Sequence, residues 1–231
     1  MILFPDQAGV PQTVPLFPLG EVVFFPFTDL QLHVFEPRYR AMVKAANEGE
    51  GHIAMAIFLP GWEPDYANAP AIRSVVTVGR LAKVRPEPDG RFYITLTGVT
   101  KARVVEEITD PAPYRRARIE PLPDGPLDAQ REEAIAVARE VTQIVRKVAT
   151  PATLARLRPP EEDEPTDRAL IAFSYRMAHE LKVDTDGRIA LLETVSCLDR
   201  LARARTILSA VEAIMDAAPR GTGPFHGFSL N

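Results

Sequence analysis

The densest run of reactive side chains is FEPRYR, residues 35–40, where Phe35, Glu36, Arg38, Tyr39 and Arg40 crowd around Pro37. A carboxylate among guanidinium groups can lock an ion pair, and the same guanidinium groups can orient a ligand carboxylate or carbonyl. A second run, LPGWEPDYANAPAIR (residues 59–73), follows Phe58 and holds the only tryptophan, Trp62, together with Tyr66. Aromatic side chains on loops serve recognition. The other role open to Trp62 is to fold back as a lid on the sheet beneath it.

Little else in the chain has the spacing of a reaction centre. The histidines are His33, His52, His179 and His226; none forms H-E-x-x-H and none sits near a cysteine, so no metal site is expected. His33 lies on the polar side of its strand and His179 next to Glu180 on a helix, and both read as hydrogen-bonded structural histidines. There is no G-x-x-x-x-G-K-[ST], no G-x-G-x-x-G and no G-x-S-x-G. No catalytic residue and no cofactor is therefore expected. Cys197 falls at a helix start, where a thiol pKa can drop, but a small apolar filler at a helix junction is the better reading. The acidic residues 161–164 read as a solvated charge run rather than a metal site.

Between positions 80 and 118 stand nine basic residues, Arg80, Lys83, Arg85, Arg91, Lys101, Arg103, Arg115, Arg116 and Arg118, against five acidic ones. Strand alternation can gather several on one outer face. Phosphate contact is one use for such a patch; a solvated barrel exterior is the reading favoured here.

The 231 residues, 46% apolar and 25% charged, describe an ordinary globular chain long enough for a core without disulfides. One cysteine fits a reducing compartment, and no apolar run nears the roughly 20 residues that span a bilayer. The N-terminus lacks the pattern of a secretory signal. A cytoplasmic location is expected. A net charge of −4 argues against nucleic acid and membrane as partners of the whole chain. Abundant arginine and alanine hint at a GC-rich bacterial genome.

Proline punctuation divides the chain. Prolines recur from 5 to 126 and are missing from 127–150 and from 166–218. Because an interior proline costs a helix about 3 kcal/mol, strands and turns are expected in front and helices behind. Residues 30–34 alternate like a half-buried strand, and 52–59, HIAMAIFL, suit a strand buried on both faces. Residues 75–85 and 92–98 flank the hairpin signal Asp89-Gly90, and strands at 101–108 and 114–120 follow. One helix interrupts them, with Glu36 and Pro37 at its start and Tyr39, Met42, Val43 and Ala46 on its buried stripe. Behind, Ala134, Val137, Val141, Ile144 and Val148 keep helical spacing, as do Leu201, Ala204, Leu208, Val211 and Met215. A helix is predicted over 166–181, a short segment over 187–194, and a Ser196 cap on the last helix. Residues 150–165 read as an exposed linker and 219–231 as a loosely held tail.

The stretch VPLFPLGEVVFFPFTDLQLHVFEPRYRAMV, residues 14–43, resembles the opening of the Lon protease N-terminal (substrate-binding) domain. It is most similar to the stand-alone bacterial form that lacks the ATPase and protease domains. The matching pieces are PLFPLG at 15–20, Pro26, the L-x-V-F-E-P-R-Y-R run at 32–40, VGRLAKV at 78–84 and LTGVTKARV at 96–104. The resemblance covers about residues 13–217. It implies an α+β fold, a PUA-like β pseudo-barrel with one inserted helix followed by a C-terminal helical bundle. Expected boundaries are 13–123 for the barrel, 126–217 for the bundle and 218–231 for the tail.

The resemblance also implies a role in engaging polypeptides, uncoupled here from unfolding and cleavage machinery. The expectation is a non-enzymatic module that binds extended or unfolded polypeptide segments or a protein partner, or associates with itself, as an adaptor in protein quality control. The alternative is a PUA-like RNA-binding module. Trp62, Tyr66, Phe58, Arg38 and Arg40 are the candidate binding residues. Glu36, Pro37, Tyr39, Gly79 and Gly98 are expected to hold the motif's shape, and for Arg38 and Arg40 an ion-pair lock with Glu36 is favoured over ligand contact.

Overall fold

The structure is a computed structural model and describes residues 9–160 and 165–217. Two compact units meet in sequence at Pro123 and Asp124. The first is built on β1 (Thr13–Leu19), β2 (Asp29–Val34), α1 (Pro37–Glu48), β3 (His52–Ile57), β4 (Val75–Pro86), β5 (Phe92–Ile108) and β6 (Arg116–Pro121). The strands run β2-β5-β4-β3-β1-β6, and β6 also pairs with β5, which closes the sheet into a pseudo-barrel. Among the described strands only β1 and β3 pair in parallel, and the connection through β2 and α1 supplies the long crossover such a pair needs.

β5 explains the closure. At 17 residues it serves β2 with its first half and β6 with its second, and both halves lean on β4. The two strands expected at 92–98 and 101–108 are therefore one. Its pairing with β4 shifts register between Val78 and Gly79, opposite Gly98. A side chain at Gly98 would collide with the Phe25 carbonyl, because the 25–28 backbone docks there through Phe27 N–H to Gly98 O at 2.8 Å. A Cβ at Gly79 would come within 2.9 Å of the Phe24 ring. These two positions let the FFPF turn press onto the sheet.

Of the strand expected at 52–59, residues 52–57 form β3 and are buried on both faces from Ile53 onward, as the lack of alternation predicts, whereas Leu59 lies beyond the strand and is 40% exposed. Ile53 and Met55 join Phe17, Phe92, Ile94 and Leu96 under α1, whose Tyr39, Met42, Val43 and Ala46 form the other half of that core. Ala54 and Ala56 face the opposite cluster with Val14, Leu16, Val76, Val78, Ala102 and Ala117. Small residues suit the tight interior of a closed sheet. β1 has no separate place among the expected strands, because Pro15 and Pro18 interrupt its pattern; the parallel ladder from Leu16 to Leu19 forms nonetheless.

The second unit holds α2 (Arg131–Val148), α3 (Pro151–Leu157), α4 (Asp167–Glu180), α5 (Thr185–Glu193) and α6 (Cys197–Ala217). α2 and α4 both pack on α6. The expected linker at 150–165 contains α3. Pro151 opens that helix, where a missing N–H does no harm, and Thr150 caps it by accepting from Thr153 N–H at 3.2 Å. Ser196 caps α6 by accepting from Asp199 N–H at 3.1 Å. Residues 161–164 and the expected tail at 218–231, with His226, lie outside the described residues.

Candidate functional site

Glu36 is the cap residue of α1, in extended conformation, with Pro37 in the first turn. Its carboxylate does not cap the helix. It turns sideways, accepting from Arg38 Nε at 3.0 Å and from the Tyr66 hydroxyl at 2.5 Å. Tyr66 arrives from 30 residues downstream, on the single 3-10 turn Glu63–Asn68 of the long loop. The Arg38 guanidinium lies 4.7 Å from the ring centres of both Tyr39 and Tyr66, a doubled cation–π contact. Tyr39 continues inward and stacks on Phe17 at 4.3 Å. Burial raises the Tyr39 and Tyr66 hydroxyl pKa values, and for Tyr66 the bond to the Glu36 carboxylate adds to this, so the phenol stays a donor at neutral pH.

The other aromatic groups extend the cluster along the loop. Trp62 stacks on Phe58 with ring centres 4.8 Å apart and meets Tyr66 edge-on at 5.6 Å. Gly20 makes room beneath it, since a Cβ there would stand 2.6 Å from Trp62 Cζ2. Phe58 is buried, whereas Trp62, Tyr66, Glu36 and Arg38 are half-buried. Trp62 thus packs back over Phe58 and Gly20, as the lid reading expects, and remains partly exposed.

The loop is tied down at several points. Arg115 Nη1 donates to Pro70 O at 2.8 Å while its Nε holds Glu107. Leu59 N–H reaches Ala71 O at 2.9 Å, and Phe58 bridges Ile72. Beside the cluster runs a groove of about 260 Å³ between Arg38 and Tyr39 on one side and Asp110, Tyr114 and Arg115 on the other. The sequence offered no sign of Arg115 or Gly20 as loop supports; Arg115 counted only as one charge in a basic region.

Arg40 stands apart. Its guanidinium lies over Gly90, where any side chain would strike it; the Asp89 carboxyl beside it is held below the usual carboxylate range by the hydrogen bonds from Arg91, with a smaller share from the Arg40 charge. Gly90 has φ +82°, which the Asp-Gly turn needs. The structure therefore brings Trp62, Tyr66, Phe58, Arg38, Glu36, Pro37 and Tyr39 together, and places Arg40 on the hairpin.

The basic region is largely neutralised by its own neighbours. Arg85 pairs with Glu87, Arg91 with Asp89, Arg115 with Glu107, Arg116 with Asp110 and Arg118 with Glu106. Lys101 is buried. Among the described residues no group of three or more His, Cys, Asp or Glu could hold a metal ion, and no helix is long and apolar enough to cross a membrane. Cys197 is buried, and that burial pushes its thiol up to about 11.

A barrel of this topology, with an inserted helix and a helical bundle following in sequence, defines an α+β class of domain. Residues 13–210 match the family of the ATP-dependent protease La (LON) substrate-binding domain, and the chain belongs to that family. Curated relatives include Lon protease of Desulfovibrio desulfuricans, 32% identical across 87% of this chain, and Lon protease of Azorhizobium caulinodans, 29% identical across 94%. The chain spans about a quarter of the length of these relatives, 22% and 25% respectively. The fold is shared with the N-terminal domain of Mycobacterium avium complex Lon protease (TM-score 0.61, 17% identity, 85% of this chain and 98% of that one). It is shared as well with a Lon N-terminal domain protein from Xanthomonas campestris (TM-score 0.56, 20% identity, 90% and 99%).

Proposed function

We propose that the chain holds exposed polypeptide segments, or a partner protein, and performs no chemistry of its own. The observation that carries this is the half-buried cluster of Trp62, Tyr66 and Arg38, set on a loop fixed at Glu36, Pro70 and Ile72. Rigid aromatic groups beside a guanidinium lose little freedom when they bind, and such groups dominate protein interfaces. The adjoining groove is lined by Arg38 and Arg115, whose guanidinium groups, already bonded to Glu36 and Glu107, add planar stacking surface to the cluster rather than unpaired charge. An adaptor role in protein quality control fits a member of the Lon substrate-binding domain family. A reducing, cytoplasmic setting agrees with the buried thiol of Cys197.

RNA is the weaker reading, because five arginines of the basic region already hold carboxylates. Releasing them for phosphates would forfeit those pairs.

The test is anisotropy of a labelled, permanently unfolded reporter polypeptide, titrated with the full chain at low and high salt. Replacing Trp62 and Tyr66 by alanine is expected to weaken binding about tenfold or more, with little dependence on salt. Unchanged affinity in the double variant would remove the loop from the recognition surface.

A further inference from the structure

On β2, β5 and β4 the side of the sheet away from α1 is open to solvent, and its side chains stand in rungs set by the register. Arg85, Tyr93 and His33 face each other across the three strands, and Lys83, Thr95 and Gln31 form the next rung. Arg80, Thr97 and Asp29 form a third. The first rung is a stack: the Arg85 guanidinium is 4.6 Å from the Tyr93 ring centre, and His33 stacks on Tyr93 at 4.5 Å from the neighbouring strand. Phe35, 59% exposed, lies 5.9 Å from His33 and directly precedes Glu36, so this face runs up to the loop cluster. A groove of about 520 Å³ follows the rungs, within the usual range for ligand sites. Lys83 and Arg85 make one wall, Gln31 and His33 the other, and Tyr93 and Thr95 lie between them.

Building on the polypeptide-holding reading above, we propose that this groove takes an extended polypeptide segment bearing acidic side chains. The complementarity is local. None of the residues lining the groove is acidic, and Lys83 is the cation there with no carboxylate across its rung, whereas Arg85 already pairs with Glu87 and Arg80 shares its rung with Asp29; the chain as a whole carries a net charge of −4. Gln31 and Thr95 supply an amide and a hydroxyl for peptide groups. β2 is the edge strand of the sheet, so its outward backbone groups border the same groove and can bond an extended main chain. Nucleic acid fits less well. Single strands bind by stacking bases on free aromatic faces, and the Tyr93 ring is already stacked on His33 and in cation–π contact with Arg85.

The experiment measures anisotropy of three labelled probes on the full chain: a peptide alternating glutamate with tyrosine or valine, its lysine-for-glutamate counterpart, and an oligouridylate. The acidic peptide is expected to bind at least about tenfold more tightly than the basic one, and Lys83→Glu to remove about that factor. Lys83 is exposed, and an unchanged melting temperature of Lys83→Glu separates lost contact from lost fold. Equal binding of the two peptides, no effect of Lys83→Glu, or displacement of the acidic peptide by a tighter-binding oligouridylate would each overturn the proposal. A second copy of the chain occupying the edge would also overturn it, and shows as a dimer that dissociates in Lys83→Glu. If the unfolded reporter binds and depends on Trp62 and Tyr66 while the acidic peptide is ignored, only this proposal falls. If the reporter ignores Trp62 and Tyr66 but loses affinity in Lys83→Glu, the loop reading falls and the groove stands.

Discussion

The two units of this molecule each contain a network of one carboxylate, one arginine and one tyrosine, with opposite exposure. In the barrel, Glu36 holds Arg38 and Tyr66, and the two charged side chains are 27% and 30% exposed. In the helical unit, Asp124 accepts from Arg200 Nη2 at 2.5 Å and from the Tyr175 hydroxyl at 2.7 Å, while the guanidinium sits 3.7 Å from the Tyr175 ring centre. Arg200 also donates to Ser174 Oγ and Thr194 O, and its side chain is fully buried. Burial sets the role of each. The buried network satisfies its own groups and has no face left for a ligand, so it fastens the entry segment at Asp124 onto α4 and α6. The half-exposed one is anchored on one side and presents aromatic and cationic surface on the other.

The largest expected effect breaks the buried network. Asp124→Ala leaves the Arg200 charge buried without its carboxylate and is expected to cost about 3–5 kcal/mol in denaturant unfolding. Replacing Asp124 and Arg200 together by leucine and methionine should recover most of that loss, because the cost lies in the unpaired charge. A double variant no more stable than Asp124→Ala would show that packing, not charge, dominates there. Glu36→Ala comes next. As a half-exposed pair it should cost about 1 kcal/mol or less, a fall of about 2–4 °C in melting temperature for a chain of this size. Its effect on reporter binding should be smaller still. A melt indistinguishable from the parent would contradict the assignment of Glu36 as a lock.

An effect absent at neutral pH is a pH dependence in the helical unit. The unfolded Cys197 thiol ionises from its ordinary value of 9.0 upward, whereas burial keeps the folded thiol protonated to about 11. Across that window the unfolded state binds fewer protons, so stability falls as pH rises from 9 towards 11 and is unaffected below it. Cys197→Ala should flatten this limb in unfolding curves taken at successive pH values. A limb of equal slope in the variant would assign the loss to other groups.

Periodicity made the two kinds of unit legible in the sequence. Of the stripe Ala134, Val137, Val141, Ile144 and Val148 all but the half-buried Ile144 are buried, and of the second stripe Leu201, Ala204 and Leu208 are buried, whereas Val211 is half-buried and Met215 is 37% exposed. The burial of β3 on both faces was equally readable. Proline misled at its permitted positions: Pro15 and Pro18 lie within β1, and Pro151 opens a helix inside an expected linker. Local patterns carry no sign of such exceptions until the neighbouring strand or cap is known. Within the site, FEPRYR and the Trp62 loop both stood out by composition, but nothing in the sequence joined them. The bond from Tyr66 to Glu36 crosses 30 residues, and the Arg115 strut to Pro70 crosses 45. The Arg85–Tyr93 pair follows from the hairpin at Asp89-Gly90, but the pairing of His33 with Tyr93 needs β2 beside β5, which no local pattern shows.

Trp62 is the only tryptophan and lies in the half-buried cluster, so its own emission reports on the surface in question. Titrating the full chain with an unlabelled, tryptophan-free unfolded polypeptide tests the central claim most directly. The account predicts a saturable shift and intensity change of Trp62 emission, with a midpoint matching the binding constant from anisotropy. Binding by anisotropy with no change in Trp62 emission would contradict it.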